Sequence, residues 1–145
     1  AFDDKGQLWA TEHGRSGVLS GFDELNLIEK GKNYGWPTIQ GDETKQGMES
    51  PIIHSGASKT WAPAGIVFIN GKLFFGGLRG QALYEVDVKE NKAVNFKEHF
   101  AGEFGRIRAV VSDANKNIYI TTSNTDGREK PKENDDRLIK VNTVK

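Results

Sequence analysis

The chain has 145 residues, with 20 Lys and Arg balanced by 20 Asp and Glu, a formal net charge of zero, and no cysteine. Balanced charge argues against a general polyanion binder, which carries a basic excess, and nothing points to nucleic acid as a partner. Without cysteine there are no disulfides, zinc–thiolate centres or thiol nucleophiles. Mean hydropathy is −0.59, and no apolar run approaches the roughly 18 residues of a membrane span.

In chain order, the opening AFDDKGQLWATEHG has no Met and no signal peptide, and it reads as a turn leading into a strand. A fragment of a longer chain is therefore expected, with any targeting segment upstream. QLWATEH alternates Leu8, Ala10 and Glu12 against Trp9 and Thr11, the period-2 pattern of a strand. DELNLIEKG supplies a second strand. Residues from about Lys32 to Pro63 read as an irregular loop, which at that length is functional or disordered. GIVFI, KLFFGGL, ALYEVDV, IRAVV, NIYITT and RLIKV follow, short runs rich in Val, Ile, Phe and Tyr with turn residues at their ends. Asn70-Gly71 between FI and KLFF is a strong hairpin signal. No window sustains a helical period.

Aligning the turns reveals a repeat. DDKGQLWATEHG, FINGKLFFGGLRG and DANKNIYITTSN each run from turn to apolar strand to a polar or Gly-rich exit, and each precedes a further strand. The last two units are offset by about 45 residues, the length of a four-stranded propeller blade. The fold class expected is all-β, with about three partial blades; a generic antiparallel sandwich is the alternative. Three blades do not close a ring of about four to eight. The chain is expected to be part of a propeller, or to assemble with other copies.

The familiar catalytic motifs are absent: there is no P-loop, H-E-x-x-H or G-x-S-x-G, and GGLRG lacks dinucleotide-loop spacing. Thr122, Asn124, Asp126, Gly127 and Glu133 fall at EF-hand-like positions, but a Thr in first place and strand flanks read better as a charged, solvated loop. His54 and His99 read as structural or exposed. His13 stands out because Glu12, Gly14 and then Asp23-Glu24 lie close by. Adjacent carboxylates repel, and a calcium ion with loop carbonyls would relieve them; two surface charges are the plain alternative. Arg106 and Arg108, two apart on a strand, share a face and suit a ligand with several carboxylates. Arg79 occupies the equivalent exit of the preceding unit, so convergent blade tops would bring three arginines to one pocket.

DELNLIEKGKNYGWP, WAPAGIVFINGKLFFGGLRG, GRIRAVVSDANKNIYITTSNTDG and DRLIKV, in that order, resemble the soluble quinoprotein sugar dehydrogenases, the glucose/sorbosone and aldose dehydrogenases that use pyrroloquinoline quinone (PQQ). The resemblance implies a six-bladed β-propeller, of which residues 1–145 would be the C-terminal portion of a single propeller domain. It implies PQQ and Ca2+ as cofactors, and oxidation of an aldose sugar to a lactone with electrons passed to an external acceptor. For PQQ, it assigns contacts to Thr60, Leu78, Arg79, Arg106 and Arg108. For calcium, it assigns carbonyls of Gly14 and Arg15 in the EHG turn, where relatives commonly carry Pro in place of Arg15. A second calcium site takes Glu24 and the Tyr34 carbonyl, with Gln40 and Asp42 or Glu43 as further ligands. No catalytic residue is assigned: the family's general base is a His in the N-terminal half, and His13, His54 and His99 lie outside its motif. The missing half, or another copy, would complete the ring, and the location implied is periplasmic or extracellular. A non-enzymatic propeller acting as a binding module is the alternative reading.

Overall fold

In the computed structural model, which describes residues 1–17 and 20–142, every named element is a β-strand. Val18 and Leu19 of the SGVLSGF segment, and the last three residues, lie outside the described residues. The strands are β1 (Leu8–Glu12), β2 (Glu24–Ile28), β3 (Ile53–His54), β4 (Pro63–Ile69), β5 (Lys72–Gly77), β6 (Leu83–Lys89), β7 (Lys92–His99), β8 (Ile107–Ser112), β9 (Ile118–Thr122) and β10 (Leu138–Val141). They form three antiparallel sheets, ordered β1-β2-β3, β4-β5-β6-β7 and β8-β9-β10. Among the described residues no helix is long and apolar enough to cross a membrane.

The turns follow local chemistry. Asn70 and Gly71, both at positive φ (51° and 78°), join β4 to β5 as the two-residue hairpin expected. Glu90 and Asn91 do the same between β6 and β7, without a glycine. The other two sheets share a different device. Asp3 accepts the amides of Lys5 and Gln7 at 2.9 Å each and the Trp9 indole N–H at 3.0 Å. Asp113 accepts the amides of Asn115 (2.9 Å) and Asn117 (2.8 Å) and the Tyr119 hydroxyl (3.1 Å). The same aspartate turn, with an aromatic partner six residues on, thus opens β1 and β9. It makes β1 the counterpart of β9. Ala1 and Phe2 accordingly flank β1, bonded to Trp9 through both backbone groups (2.8 and 2.9 Å), where β8 flanks β9.

The middle sheet is buried on both faces because its strands alternate. Leu73, Phe75, Tyr84 and Val86 pack with Trp9 and Leu25 of the first sheet and with Trp61 of the segment that enters β4. Phe74 and Leu83 point the other way and pack with Ile107, Val110 and Ile120 of the third. Two glycines let the second and third sheets approach. A Cβ on Gly65 would lie 2.8 Å from the Val110 nitrogen, and one on Gly76 would lie 2.7 Å from the Ile107 oxygen. The irregular segment after β2 is ordered into successive turns and contributes the short β3 to the first sheet.

Asp23 joins the first sheet to the second. Its Oδ1 accepts the Gly14 amide at 3.0 Å, and its Oδ2 accepts the amides of Trp61 (2.7 Å) and Ala62 (3.0 Å). The residue is 2% exposed. Gly14 has no room for a side chain, since a Cβ there would sit 2.1 Å from the Gly21 oxygen.

Two stability measurements on the full-length protein check these contacts. Gly76→Ala overpacks the seam between sheets and is expected to cost about 1–3 kcal/mol, read as a lower urea midpoint at unchanged m; an unchanged midpoint would mean the seam opens freely. Asp23→Asn turns an amide NH2 toward N–H donors and is expected to cost about 1–3 kcal/mol through unmade bonds. A melting temperature equal to the parent's would show that other acceptors serve those amides.

Candidate functional site

Where β1, β4, β5 and β8 come together, their flanking loops enclose a cleft of about 600 Å3. The turn after β1 brings His13, Gly14 and Arg15, the segment before β4 brings Thr60, the exit of β5 brings Leu78 and Arg79, and the start of β8 brings Arg106. Six of the residues assigned from sequence, Gly14, Arg15, Thr60, Leu78, Arg79 and Arg106, therefore line one cavity. Arg108, Glu24 and Tyr34 do not line it. Sequence reasoning did not pick out Ser20 or Arg128, which also line the cleft. The only sequence signal for Arg128 was its place in the same polar exit loop as the EF-hand-like match.

Four arginines, Arg15, Arg79, Arg106 and Arg128, line this space. Arg106 is buried, and its bonds are made to oxygens around it: Nη1 to the Leu78 carbonyl (3.3 Å), Nε to the Ser123 carbonyl (3.2 Å), and Nη2 to Asp126 Oδ2 (2.9 Å). One N–H on each terminal nitrogen is left over. Arg108 is half exposed and donates to the same Asp126 oxygen at 3.3 Å. Repulsion between the two arginines is thus relieved by one carboxylate. Burial alone would raise the Asp126 pKa, but bonds from the Arg128 amide, Arg106 and Ser123 hold it below the usual aspartate value. The loop read as merely solvated is therefore an organised turn, in which Asn124 N and Thr122 Oγ1 both reach Asp136 Oδ1 (2.5 and 3.4 Å).

Arg79 donates to Ser20 Oγ at 2.9 Å. Arg15 lies over the Phe22 ring at 4.9 Å, and its Nε is buried with no hydrogen-bond partner among the described residues. His13 Nε2 stands 2.7 Å from the Pro63 carbonyl. A carbonyl can only accept, so this nitrogen carries the proton, and the ring is used as a brace between blades.

The residues assigned to a second metal site lie apart from the cleft. Glu24 is buried opposite Glu12 across β1 and β2. Asn26 Nδ2 spans the two carboxylates at 3.3 and 3.4 Å, and the Gly41 amide donates to Glu24 at 3.3 Å. Burial, and then the Glu24 charge, push the Glu12 pKa up, and Asn26 Oδ1 is buried without a partner. Tyr34 is held at the other end of β2: its hydroxyl donates to the Leu27 carbonyl and accepts the Glu29 amide, each at 2.7 Å. Asp42 pairs with His54 at 3.2 Å and Glu43 accepts the Gln40 amide at 3.0 Å, so both acids are engaged locally. No group of three or more His, Cys, Asp or Glu residues suited to a metal occurs among the described residues.

Comparison with known proteins agrees with this architecture. The Glucose / Sorbosone dehydrogenase family matches residues 1–139. The PQQ-bound aldose sugar dehydrogenase of Streptomyces coelicolor is similar over 96% of this chain and 40% of its own, with a TM-score of 0.87 and 35% identity. Among curated proteins, an uncharacterized Synechocystis protein is 30% identical over 84% of this chain, and aldose sugar dehydrogenase YliI of Escherichia coli is 28% identical over 83%. The chain spans 33% and 36% of the lengths of those two relatives. The three sheets are therefore blades of part of a β-propeller, and the chain belongs to the Glucose / Sorbosone dehydrogenase family.

Proposed function

We propose that the whole protein is a PQQ- and calcium-dependent dehydrogenase that oxidises aldose sugars to lactones, and that this chain supplies the cofactor-gripping part. The observation that carries the reading is the convergence of Arg15, Arg79, Arg106 and Arg128 on one cleft. PQQ is a planar quinone with three carboxylates, and guanidinium forks suit carboxylates. The two spare N–H groups of Arg106 suit such a ligand. Leu78 would offer an apolar contact and Thr60 a polar one. A relative of this fold holds PQQ.

Bound PQQ would supply the two-electron acceptor for a sugar carbon, with calcium as a Lewis acid beside it. This chain's residues would bind and orient the cofactor. Arg79 and Arg106 would hold carboxylates and stabilise negative charge as it develops. Asp23 and Gly14 would keep the EHG turn in place, so that the Gly14 and Arg15 carbonyls can face calcium. A second calcium would suit Glu24 and Glu12, whose facing carboxylates and orphaned Asn26 oxygen are hard oxygen donors. The base that takes the sugar proton would come from outside this chain.

The same reading makes the chain the C-terminal portion of one propeller, closed by an N-terminal part or another copy. Exposed Val111 and Leu138 on the third blade, at 51% and 72%, support a further covering surface. The location proposed is periplasmic or extracellular, and the electrons would pass to an external acceptor.

Titrating the full-length protein with PQQ and calcium while following aldose-dependent dye reduction tests the enzyme. Activity that stays at background with both present would sink it, and PQQ binding without turnover would favour a binding propeller. Arg79 is the clean probe of the grip because, among the described residues, its side chain bonds only to Ser20. Arg79→Gln is expected to weaken PQQ binding about tenfold or more, the worth of one charge-assisted bond, at unchanged melting temperature. Equal affinity would remove Arg79 from the site. For the metal, Glu24→Gln should weaken calcium binding at one of two calorimetric sites by roughly tenfold or more. Two unaltered sites would place the ion elsewhere.

A further inference from the structure

An exposed arginine is ordinarily a solvated charge, but Arg128 is placed differently. Its amide donates to Asp126 Oδ1 at 3.1 Å, while Oδ2 of the same carboxylate takes Arg106 at 2.9 Å and Arg108 at 3.3 Å. Ser123 Oγ adds a fourth donor at 3.3 Å. The turn that carries Arg128 is pinned on its far side as well. Gln81 of the second blade bonds to Glu129, and Lys132 Nζ bonds to the Glu103 carbonyl at 3.1 Å. Glu129 is thereby occupied, and no ion pair to Arg128 or Arg79 occurs among the described residues. The Arg128 side chain lines the same cleft as Arg79 and Arg106.

Charge explains why this arrangement calls for a ligand. Asp126 can balance one of its two arginine partners. Arg79, Arg128 and the excess from the Arg106–Arg108 pair leave the cleft wall strongly positive. Asp23, the carboxylate lining the cleft, already accepts three amides. A rigid group of cations without enough acids is a site for a polyanion, and the leftover N–H groups of Arg106 give it direction.

We propose that Arg128 contacts a carboxylate of the bound ligand directly, and that Asp126 is the positioning residue that sets Arg106 and Arg128 around it. The proposal rests on the reading of the cleft as a site for a PQQ-like polycarboxylate. It makes the TDGR turn, Thr125–Arg128, part of the site, with Arg108 held behind Asp126 as a supporting charge rather than facing the cleft.

The test uses the full-length protein, with PQQ followed by absorbance and benzene-1,2,4-tricarboxylate by calorimetry. Arg128→Gln is expected to weaken both ligands about tenfold or more, with Arg128→Lys recovering part of the loss and the melting temperature unchanged. Asp126→Asn is expected to weaken PQQ and, like Arg128→Gln, to lower the midpoint potential of the bound quinone, because cations no longer held in place stabilise its reduced form less; loss of the carboxylate charge alone, with the cations still in place, would raise it. Binding by Arg128→Gln within twofold of the parent for both ligands overturns the proposal, and an unshifted or raised potential in Asp126→Asn overturns the positioning role. If the parent ignores PQQ yet binds the tricarboxylate in an Arg128-dependent way, the dehydrogenase reading falls and this inference stands. If the parent binds neither ligand, both fall.

Discussion

The cleft depends on one buried carboxylate. Asp23 accepts Gly14 on the turn leaving the first blade and Trp61 and Ala62 on the segment that enters the second. A carboxylate has acceptors only, and two oxygens, so it can collect three converging amides where an amide or hydroxyl of similar size cannot. Without it these loops would carry unsatisfied N–H groups next to the cavity, at a cost of about 1–3 kcal/mol each. The close backbone approach at Gly14 and the Phe22 ring beneath Arg15 are consequences of the same knot. Rigidity on this side of the cleft is a matter of backbone hydrogen bonds rather than of apolar packing.

The opposite wall is held by charge. A guanidinium buried as deeply as Arg106 needs acceptors on every side, and it finds two carbonyls and Asp126. Sharing one aspartate between Arg106 and Arg108 leaves the wall short of negative charge. Asp87, Glu85 and His99 on the middle blade show the contrasting solution. There Lys72 bonds both acids and His99 meets Glu85 at 2.9 Å, so the buried charges are matched internally. The excess of positive charge lies at the cleft, which is why the cleft and not this blade face reads as a site for an anion.

Much of the fold was legible in the chain. Alternation in QLWATEH, the apolar run KLFFGGL, the Asn70-Gly71 turn and the repeated passage from turn to strand are all local patterns, and each became the strand or hairpin expected. The acidic pair was harder to read. Asp23 and Glu24 are neighbours in sequence, yet their side chains take opposite roads, one to amides of the second blade and the other toward Glu12 and Asn26. The repulsion inferred between them is in fact felt between Glu24 and Glu12. Arg106 and Arg108 were likewise expected to share one binding face. Both reach the same Asp126 oxygen, Arg106 from a buried position at the cleft and Arg108 from a half-exposed one beside it.

The amino-acid order alone determined the strands, their turns and the three-fold repetition of the blade, because side-chain alternation and aspartate turns act over a few residues. It also carried the family resemblance, since those motifs stand in order along nearly the whole chain. Only the tertiary structure decided which charges face the cleft and which are already paired. Asp23 meets Trp61 across 38 positions, Arg79 meets Ser20 across 59 and Arg106 meets Asp126 across 20. Whether a charge is paired depends on contacts between residues far apart in the chain, and such contacts exist only once the blades have packed.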